Sequence, residues 1–173
     1  MRDRLDNNGG YTLVEMIIVI AIIAVMSGVG ALTISSIRAS QATSSMQRFD
    51  DELSALEMRT KTLQSGCAIR IVKNEANYDI YYGTCTNNNP SSFKADSTKP
   101  DAVLQRVTLY YDKDYNADTS SSILREKVIM IRKTDSQVLS GYGEYMFCKY
   151  DSKQAVGSVI VNQYTGSHTY GKN

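Results

Sequence analysis

The amino-acid sequence predicts an α+β protein in which a long N-terminal helix packs on a head built from an antiparallel β-sheet. Residues 16–37 contain no charged side chain, and a helix of that length rises by about 33 Å, enough to cross a bilayer core of about 30 Å. Residues 67–173 instead contain short runs of β-branched and aromatic residues separated by polar turns. Such runs are typical of strands.

These patterns divide the chain into four segments. Residues 1–10 form a short polar leader, 11–37 an apolar helix, 38–65 its amphipathic continuation and 66–173 the head. The chain of 173 residues carries a net charge of only +1. Charge therefore gives no reason to expect a nucleic-acid partner.

An apolar stripe continues the helix beyond Arg38. Its members recur at steps of three and four residues, as one face of a helix requires: Ala42, Met46, Phe49, Leu53, Leu56 and Leu63, with Thr60 filling the gap. We expect this stripe to pack on the head, with Gly66 as the helix stop. The helix should then run from about Tyr11 to Ser65.

Six or so strands are expected in the head. The segments richest in strand-forming residues are Cys67–Val72, Tyr78–Thr84, Val103–Tyr111, Leu124–Arg132, Tyr142–Tyr150 and Val156–Tyr164, with a short return at Ser167–Tyr170. Residues 73–77, between the first two, predict a hairpin turn. One face of such a sheet would be buried against the helix stripe.

The apolar run at the N-terminus permits several interpretations. A secretory signal peptide would be cut near Val29-Gly30-Ala31, but it needs a positive leader, and here the leader's basic and acidic residues cancel. A plain membrane anchor explains the length of the run but not Glu15, the carboxylate at its start. A buried central helix would normally show a polar stripe.

Glu15 also has a local interpretation. Thr12-Leu13-Val14-Glu15 has the form of a capping box, in which the Thr12 hydroxyl and the Glu15 carboxylate each accept a hydrogen bond from a backbone N–H at the helix start. Glu15 would then begin the helix, where the helix dipole favours an acid.

The segment Gly9-Gly10-Tyr11-Thr12-Leu13-Val14-Glu15, followed at once by the apolar run, resembles the prepilin cleavage and methylation motif. That motif belongs to type IV pilins and to the pseudopilins of type II secretion and competence systems. The resemblance is strong over residues 9–35 and weak beyond them. Tyr11 stands where Phe is commoner, and Leu32 replaces a proline that is frequent in the family's helix.

The resemblance implies how the chain is processed and placed. A prepilin peptidase would cut between Gly10 and Tyr11 and methylate the new amine of Tyr11. Before the cut, the chain would cross the inner membrane once with its leader in the cytoplasm. Afterwards it would join an extracytoplasmic or surface filament with other pilin or pseudopilin subunits, served indirectly by an assembly platform and its ATPase.

The resemblance also assigns a role to Glu15 in filament assembly. Glu15 of one subunit would meet the Tyr11 amine of a neighbour, and a subunit in the wrong axial position would leave both charges unpaired. The absent proline favours a minor pilin or pseudopilin, and the C-terminal Val-Ile-Val-Asn-Gln-Tyr-Thr-Gly stretch is similar to the last strands of H-type pseudopilins. The alternative is a membrane-anchored or secreted β-rich binding domain with no filament role.

Cys67 and Cys85 bracket the first predicted hairpin. They are a candidate disulfide for a head in an oxidising exterior, although connectivity does not follow from sequence alone. Cys148 is expected to be a buried strand residue.

Four oxygen-bearing side chains alternate in one predicted loop: Asp112, Asp114, Asn116 and Asp118. This alternation is typical of a calcium loop, but Ala117 stands where an EF-hand needs Gly and Ile123 where it needs Glu. The alternative is a solvated hairpin loop rich in turn formers. We expect no cofactor, and calcium is the one candidate for an exception.

The sequence contains no catalytic motif that would identify an enzyme. It has no Gly-x-Ser-x-Gly and no P-loop, and His168 is its only histidine. Eleven of its twelve tyrosines lie in the head, but no basic patch accompanies them. Strand packing therefore explains the tyrosines better than base stacking does.

Overall fold

The computed structural model describes residues 11–62 and 66–172, apart from the side chains of residues 28–32 and 172. The chain divides into two compact units, Met1–Ile37 and Arg38–Asn173. A helix, α1, runs over Leu13–Thr62. It begins two residues later than predicted because Thr12 caps it, and the predicted end at Ser65 lies outside the described residues.

The second unit contains two antiparallel sheets beside residues 38–62 of α1. The strands are β1 Cys67–Asn74, β2 Asn77–Thr84, β3 Lys94–Ala95, β4 Ala102–Leu104, β5 Val107–Asp112, β6 Ser122–Ile123, β7 Glu126–Ile131, β8 Val138–Ser140, β9 Gly143–Lys149, β10 Ala155–Val161 and β11 His168–Lys172. The first sheet has the order β3-β2-β1-β7-β8, with β4 also paired to β2, and the second has the order β11-β10-β9-β5-β6. The α+β class is confirmed, with two sheets in place of one.

The prediction of one strand over Val103–Tyr111 is wrong. The chain breaks at Arg106, whose positive φ of 46° is incompatible with an extended strand. The Asn77 side chain holds this break by accepting a hydrogen bond from the Arg106 N–H at 3.0 Å. β4 therefore pairs with β2 in the first sheet, whereas β5 pairs with β9 in the second.

The first hairpin is confirmed and is tighter than predicted. Asn74 and Asn77 are paired across it, so the turn itself consists of Glu75 and Ala76. Glu75 takes a positive φ of 52°, as a residue in such a turn often must. The short strands β3, β6 and β8 were not predicted, because two or three residues are too few to show an alternating pattern.

The helix stripe forms the centre of the core. Its described members are at most 2 % exposed: Ala42, Met46, Phe49, Leu53, Leu56 and Thr60. All of them except Thr60 share one apolar cluster with inward-facing residues of both sheets, which confirms the predicted packing. Leu63 lies outside the described residues. The hydroxyl of Tyr78, on β2, accepts a hydrogen bond from the Leu109 N–H of β5 at 3.3 Å, joining the two sheets.

The outer face of each sheet carries a smaller apolar cluster. On the first sheet, Ala68, Cys85 and Met130 pack with Phe93 from the loop that follows β2. On the second sheet the buried residues are Tyr110, Met146 and Cys148. Cys148 is 0 % exposed on β9, as predicted for a strand residue.

Candidate functional site: the start of the helix

A reciprocal hydrogen-bond pattern begins α1. The Glu15 carboxylate oxygen Oε2 accepts from the Thr12 N–H at 2.8 Å and from the Thr12 hydroxyl at 2.9 Å. The Thr12 hydroxyl oxygen in turn accepts from the Glu15 N–H at 3.2 Å, and the Met16 N–H donates to the Thr12 carbonyl at 3.2 Å. This is the predicted capping box, and it places the carboxylate at the first turn of the helix.

The helix that follows exposes apolar side chains on every side. Each of the following is between 48 % and 75 % exposed: Leu13, Val14, Met16, Ile17, Ile18, Val19, Ile20, Ile22, Ile23, Val25 and Met26. They occupy eleven of the fourteen helical positions from 13 to 26, so they surround the helix instead of forming one stripe. Within residues 11–62 and 66–172, no helix meets the length and apolarity needed to cross a membrane.

The predicted processing site is only partly described. Gly10, on the leader side of the predicted cut, lies outside the described residues. Tyr11, on the other side, is 83 % exposed. Cleavage at Gly10–Tyr11, methylation of Tyr11 and the pairing of Glu15 with a neighbouring subunit stay predictions.

The candidate calcium loop uses its polar groups within its own turns. Asp112 ends β5 and accepts a hydrogen bond on Oδ1 from the Asp114 N–H at 2.8 Å. The Asn116 side-chain amide donates to the Asp114 carbonyl at 3.0 Å. In the part of the chain that the structure describes, no group of three or more His, Cys, Asp or Glu residues is placed to hold a metal ion.

Asp118, the fourth residue of that candidate, organises a separate turn. Its Oδ1 accepts from the N–H and the hydroxyl of both Ser120 and Ser121, at 2.6 to 3.3 Å. These bonds, above all that from the Ser120 hydroxyl, lower the pKa of the Asp118 carboxyl. Calcium binding stays one of the two interpretations of this loop, and a bound ion would have to compete with these serines.

The structure contains no disulfide between Cys67 and Cys85. Cys67 is directly opposite Thr84 across β1 and β2, so Cys85 is one position further along. Successive side chains of a strand point to opposite faces. Cys67 accordingly lies in the central core and Cys85 in the outer cluster of the first sheet, a register that is unfavourable to the predicted disulfide.

Ser54, His168 and Asp50 form a cluster that sequence reasoning missed. Nε2 of His168 lies 3.1 Å from the Ser54 hydroxyl and 3.4 Å from Oδ1 of Asp50. A Ser-His-Asp catalytic arrangement needs the hydroxyl and the carboxylate on different ring nitrogens, whereas here both contacts use Nε2. The cluster instead connects β11 to the helix, and the separation of 114 residues between Ser54 and His168 hid it from local patterns.

Comparison with known protein families identifies the start of the chain. Residues 5–31 match the family model described as the prokaryotic N-terminal methylation motif. No curated protein and no solved structure matches the chain. The match covers residues 5–10 of the leader, the capping box and the first part of α1, and it supports a type IV pilin-like protein.

The matched motif has implications for the processing, assembly and location of the protein. It implies processing by a prepilin peptidase, assembly with other pilins, and anchorage in a membrane before association with a filament. Proteins with this motif are structural subunits.

Proposed function

We propose that this chain is a minor pilin or pseudopilin of a type IV pilus, type II secretion or competence filament. Its leader is removed between Gly10 and Tyr11, and the segment 11–37 then holds the protein in the inner membrane and later in the filament. The observation that carries this proposal is the exposure of apolar side chains all round the first turns of α1, directly after a capped start that matches a processing motif.

The exposed apolar surface supports the membrane and filament steps. A helix that is hydrophobic all round is normally buried in lipid or within an assembly, and large exposed apolar surfaces mark interaction sites. The described head buries its own apolar stripe. The apolar side chains of residues 13–26 therefore remain as a surface for lipid first and for other subunits afterwards.

The capping box supports a role for Glu15 that goes beyond capping. After the cut, the backbone nitrogen of Tyr11 is a positive amine. The Thr12 N–H donates a hydrogen bond to the Glu15 carboxylate at 2.8 Å. This bond keeps the negative charge of Glu15 at this end of the helix. In an apolar assembly, each of the two charges is unfavourable alone. When a neighbouring subunit places its Tyr11 amine beside Glu15, the two charges neutralise each other. Because only one axial offset between subunits allows this pairing, the pairing selects that register.

The mature N-terminus tests the processing step. The full chain is produced with a prepilin peptidase and analysed by intact-mass and N-terminal peptide mass spectrometry. We expect a chain that begins at methylated Tyr11. Gly10→Val should retain the leader, whereas Gly9→Val, the same change one residue earlier, serves as the matched control and should be processed.

Other N-termini would reject the proposal. A mature chain that begins near Thr33 would indicate a signal peptide. A chain that keeps Met1 in the presence of an active peptidase would indicate a plain anchor.

Two substitutions separate the local role of Glu15 from its intermolecular role. Glu15→Gln removes the charge but retains an oxygen that accepts from the Thr12 N–H, since Gln also serves in capping boxes. Thr12→Val removes the capping hydroxyl but leaves the carboxylate. Chemical cross-linking between copies in the membrane fraction reports assembly, and processed protein in the same fraction reports insertion.

We expect Glu15→Gln to be inserted and processed normally but to lose most cross-linked product. Thr12→Val should weaken the helix start by about 0.5–2 kcal/mol and retain cross-linking. Normal cross-linking of Glu15→Gln would contradict the intermolecular role and leave Glu15 as a helix cap alone.

A further inference from the structure

A pocket of about 380 Å³ lies on the outer face of the first sheet, the face turned away from α1. Its floor includes Arg70 of the central strand β1 and Val128 of β7, which are paired directly across the ladder. The loop after β2 supplies Pro90, Ser91 and Phe93 as a wall. An arginine at the centre of a sheet face is therefore partly enclosed by apolar groups.

Two aromatic rings lie beside the Arg70 guanidinium. Its central carbon lies 5.1 Å from the ring centre of Phe93 and 5.5 Å from that of Tyr81. Tyr81 is the direct partner of Arg70 on β2. Contacts of this kind hold the guanidinium plane in place before any ligand binds.

The donors of this guanidinium are poorly used by the protein. The closest carboxylate oxygen belongs to Glu126, 3.9 Å from Nη1, which is beyond hydrogen-bond distance. Among the described residues, Nε has no hydrogen-bond partner although it is buried. The Arg70 side chain is nevertheless 34 % exposed. A carboxylate in the pocket can therefore supply acceptors to the Nη donors, which stabilises an arginine in partly apolar surroundings.

The remaining groups of the pocket favour one negative charge on the ligand. Lys127 also lines the pocket, but its ammonium lies over the ring of Tyr111, 4.0 Å from the ring centre. Glu126 adds a negative charge at the rim, which would repel a dianion. We propose that this pocket binds a small monocarboxylate with an apolar body, its carboxylate on Arg70 and its body against Pro90, Phe93 and Val128.

The proposal does not depend on the filament function and is tested by binding. The full chain in micelles of a neutral detergent is dialysed to equilibrium against radiolabelled benzoate, with empty micelles as the blank. We expect saturable binding of one benzoate per chain. The neutral analogue benzamide should compete at least about tenfold less well, which corresponds to about 1.4 kcal/mol.

Three variants locate the site. Arg70→Met keeps an unbranched side chain without the charge, and Arg70→Lys keeps the charge without the planar guanidinium and its paired donors. Each change should weaken benzoate binding at least about tenfold. Glu126→Gln removes the competing carboxylate and should tighten binding. Arg132→Met is the matched control, because Arg132 follows β7 and already bonds Asp135 at 2.9 Å.

Several results would overturn the proposal. These are the absence of saturable benzoate binding, equal competition by benzamide, or unchanged binding to Arg70→Lys. A circular dichroism spectrum of each variant that matches the wild type ensures that lost binding reflects the pocket and not unfolding.

Discussion

Phe49 of α1 and Tyr145 of β9 pack with their ring centres 5.1 Å apart and their planes inclined by 53°. Both side chains are 0 % exposed, and tilted aromatic pairs contribute about 0.5–1.5 kcal/mol beyond the area that they bury. The Tyr145 hydroxyl needs a partner in this apolar setting and donates to the Gly141 carbonyl at 2.6 Å. The amphipathic part of the helix is thus an integral part of the core of the head.

Phe49→Ala is expected to destabilise the head strongly. The change removes a fully buried ring that also packs on Phe147, with the ring centres 5.6 Å apart. Such deletions cost about 3–5 kcal/mol. Chemical unfolding of the full chain in detergent, followed by the circular dichroism of its tyrosines, measures the effect, since the chain has no tryptophan.

Met58→Ala on the same helix is the matched control for Phe49→Ala. Met58 is 69 % exposed, so its substitution should change the free energy of unfolding by no more than about 0.5 kcal/mol. Equal unfolding midpoints for the two variants would show that Phe49 is not part of the core in solution.

The helix stripe was predictable because its signal is local. Phe49, Leu53 and Leu56 follow the helical repeat whatever they pack against, and the period alone assigns them to one face. The capping box at Thr12 and Glu15 was predictable for the same reason, because its two partners are three residues apart. Short-range physics therefore determines both the capped start and the packed face of the helix.

The division into two sheets was not predictable, because it depends on distant partners. Residues 103–111 have strand propensity throughout, and the break at Arg106 relies on Asn77, 29 residues earlier in the chain. The environments of Arg70 and His168 likewise arise from strands and loops that are far apart in sequence. Neither residue carries a local pattern that would distinguish it from an ordinary charged residue on a strand.

Gly157→Ala is expected to destabilise the second sheet, because a Cβ at this position has no space. It would lie 2.2 Å from the Gly171 carbonyl oxygen and 2.9 Å from the Met46 sulfur. The backbone of β11 or the helix would have to move, and overpacking of this kind costs about 1–3 kcal/mol. Thermal unfolding of the full chain measures the loss.

Gly171→Ala is the matched control for Gly157→Ala, since it adds the same methyl group to the adjacent strand. A Cβ at Gly171 would meet nothing within 4 Å, so the melting temperature should stay within about 2 °C. Similar losses for both variants would show that strand propensity and not the close approach of β10 and β11 is responsible.

Asp50 is expected to make stability depend on pH in the carboxyl range. Burial raises the pKa of Asp50 above its ordinary value of 3.8, and the neighbouring His168 opposes part of that rise. The folded protein therefore keeps the Asp50 carboxyl protonated to a higher pH than the unfolded chain does. The resulting stability is fully present below pH 3.8 and is lost as the pH rises through the raised pKa.

Asp50→Asn stays neutral and should not show this loss. The free energy of unfolding of the variant, minus that of the wild type, should rise between about pH 3 and pH 6 by less than about 1 kcal/mol, because Asp50 is partly solvated. Urea unfolding at several pH values provides the difference. Glu57→Gln is the control for removal of a negative charge from the same helix, because Asp51 itself raises the pKa of Asp50. A difference for Asp50→Asn that does not change with pH would contradict the prediction.

Added calcium is expected to leave the stability of the head unchanged, because the serines of its own turn already bind the carboxylate of Asp118. A ligand that binds only the folded state raises the melting temperature once its concentration exceeds its dissociation constant. At about 5 mM Ca²⁺, above the about 10⁻⁴–10⁻³ M typical of extracellular calcium modules, a bound ion would raise it measurably. A calcium-dependent rise that disappears in Asp114→Asn and persists in the matched variant Asp135→Asn would instead establish a calcium site in the loop after β5.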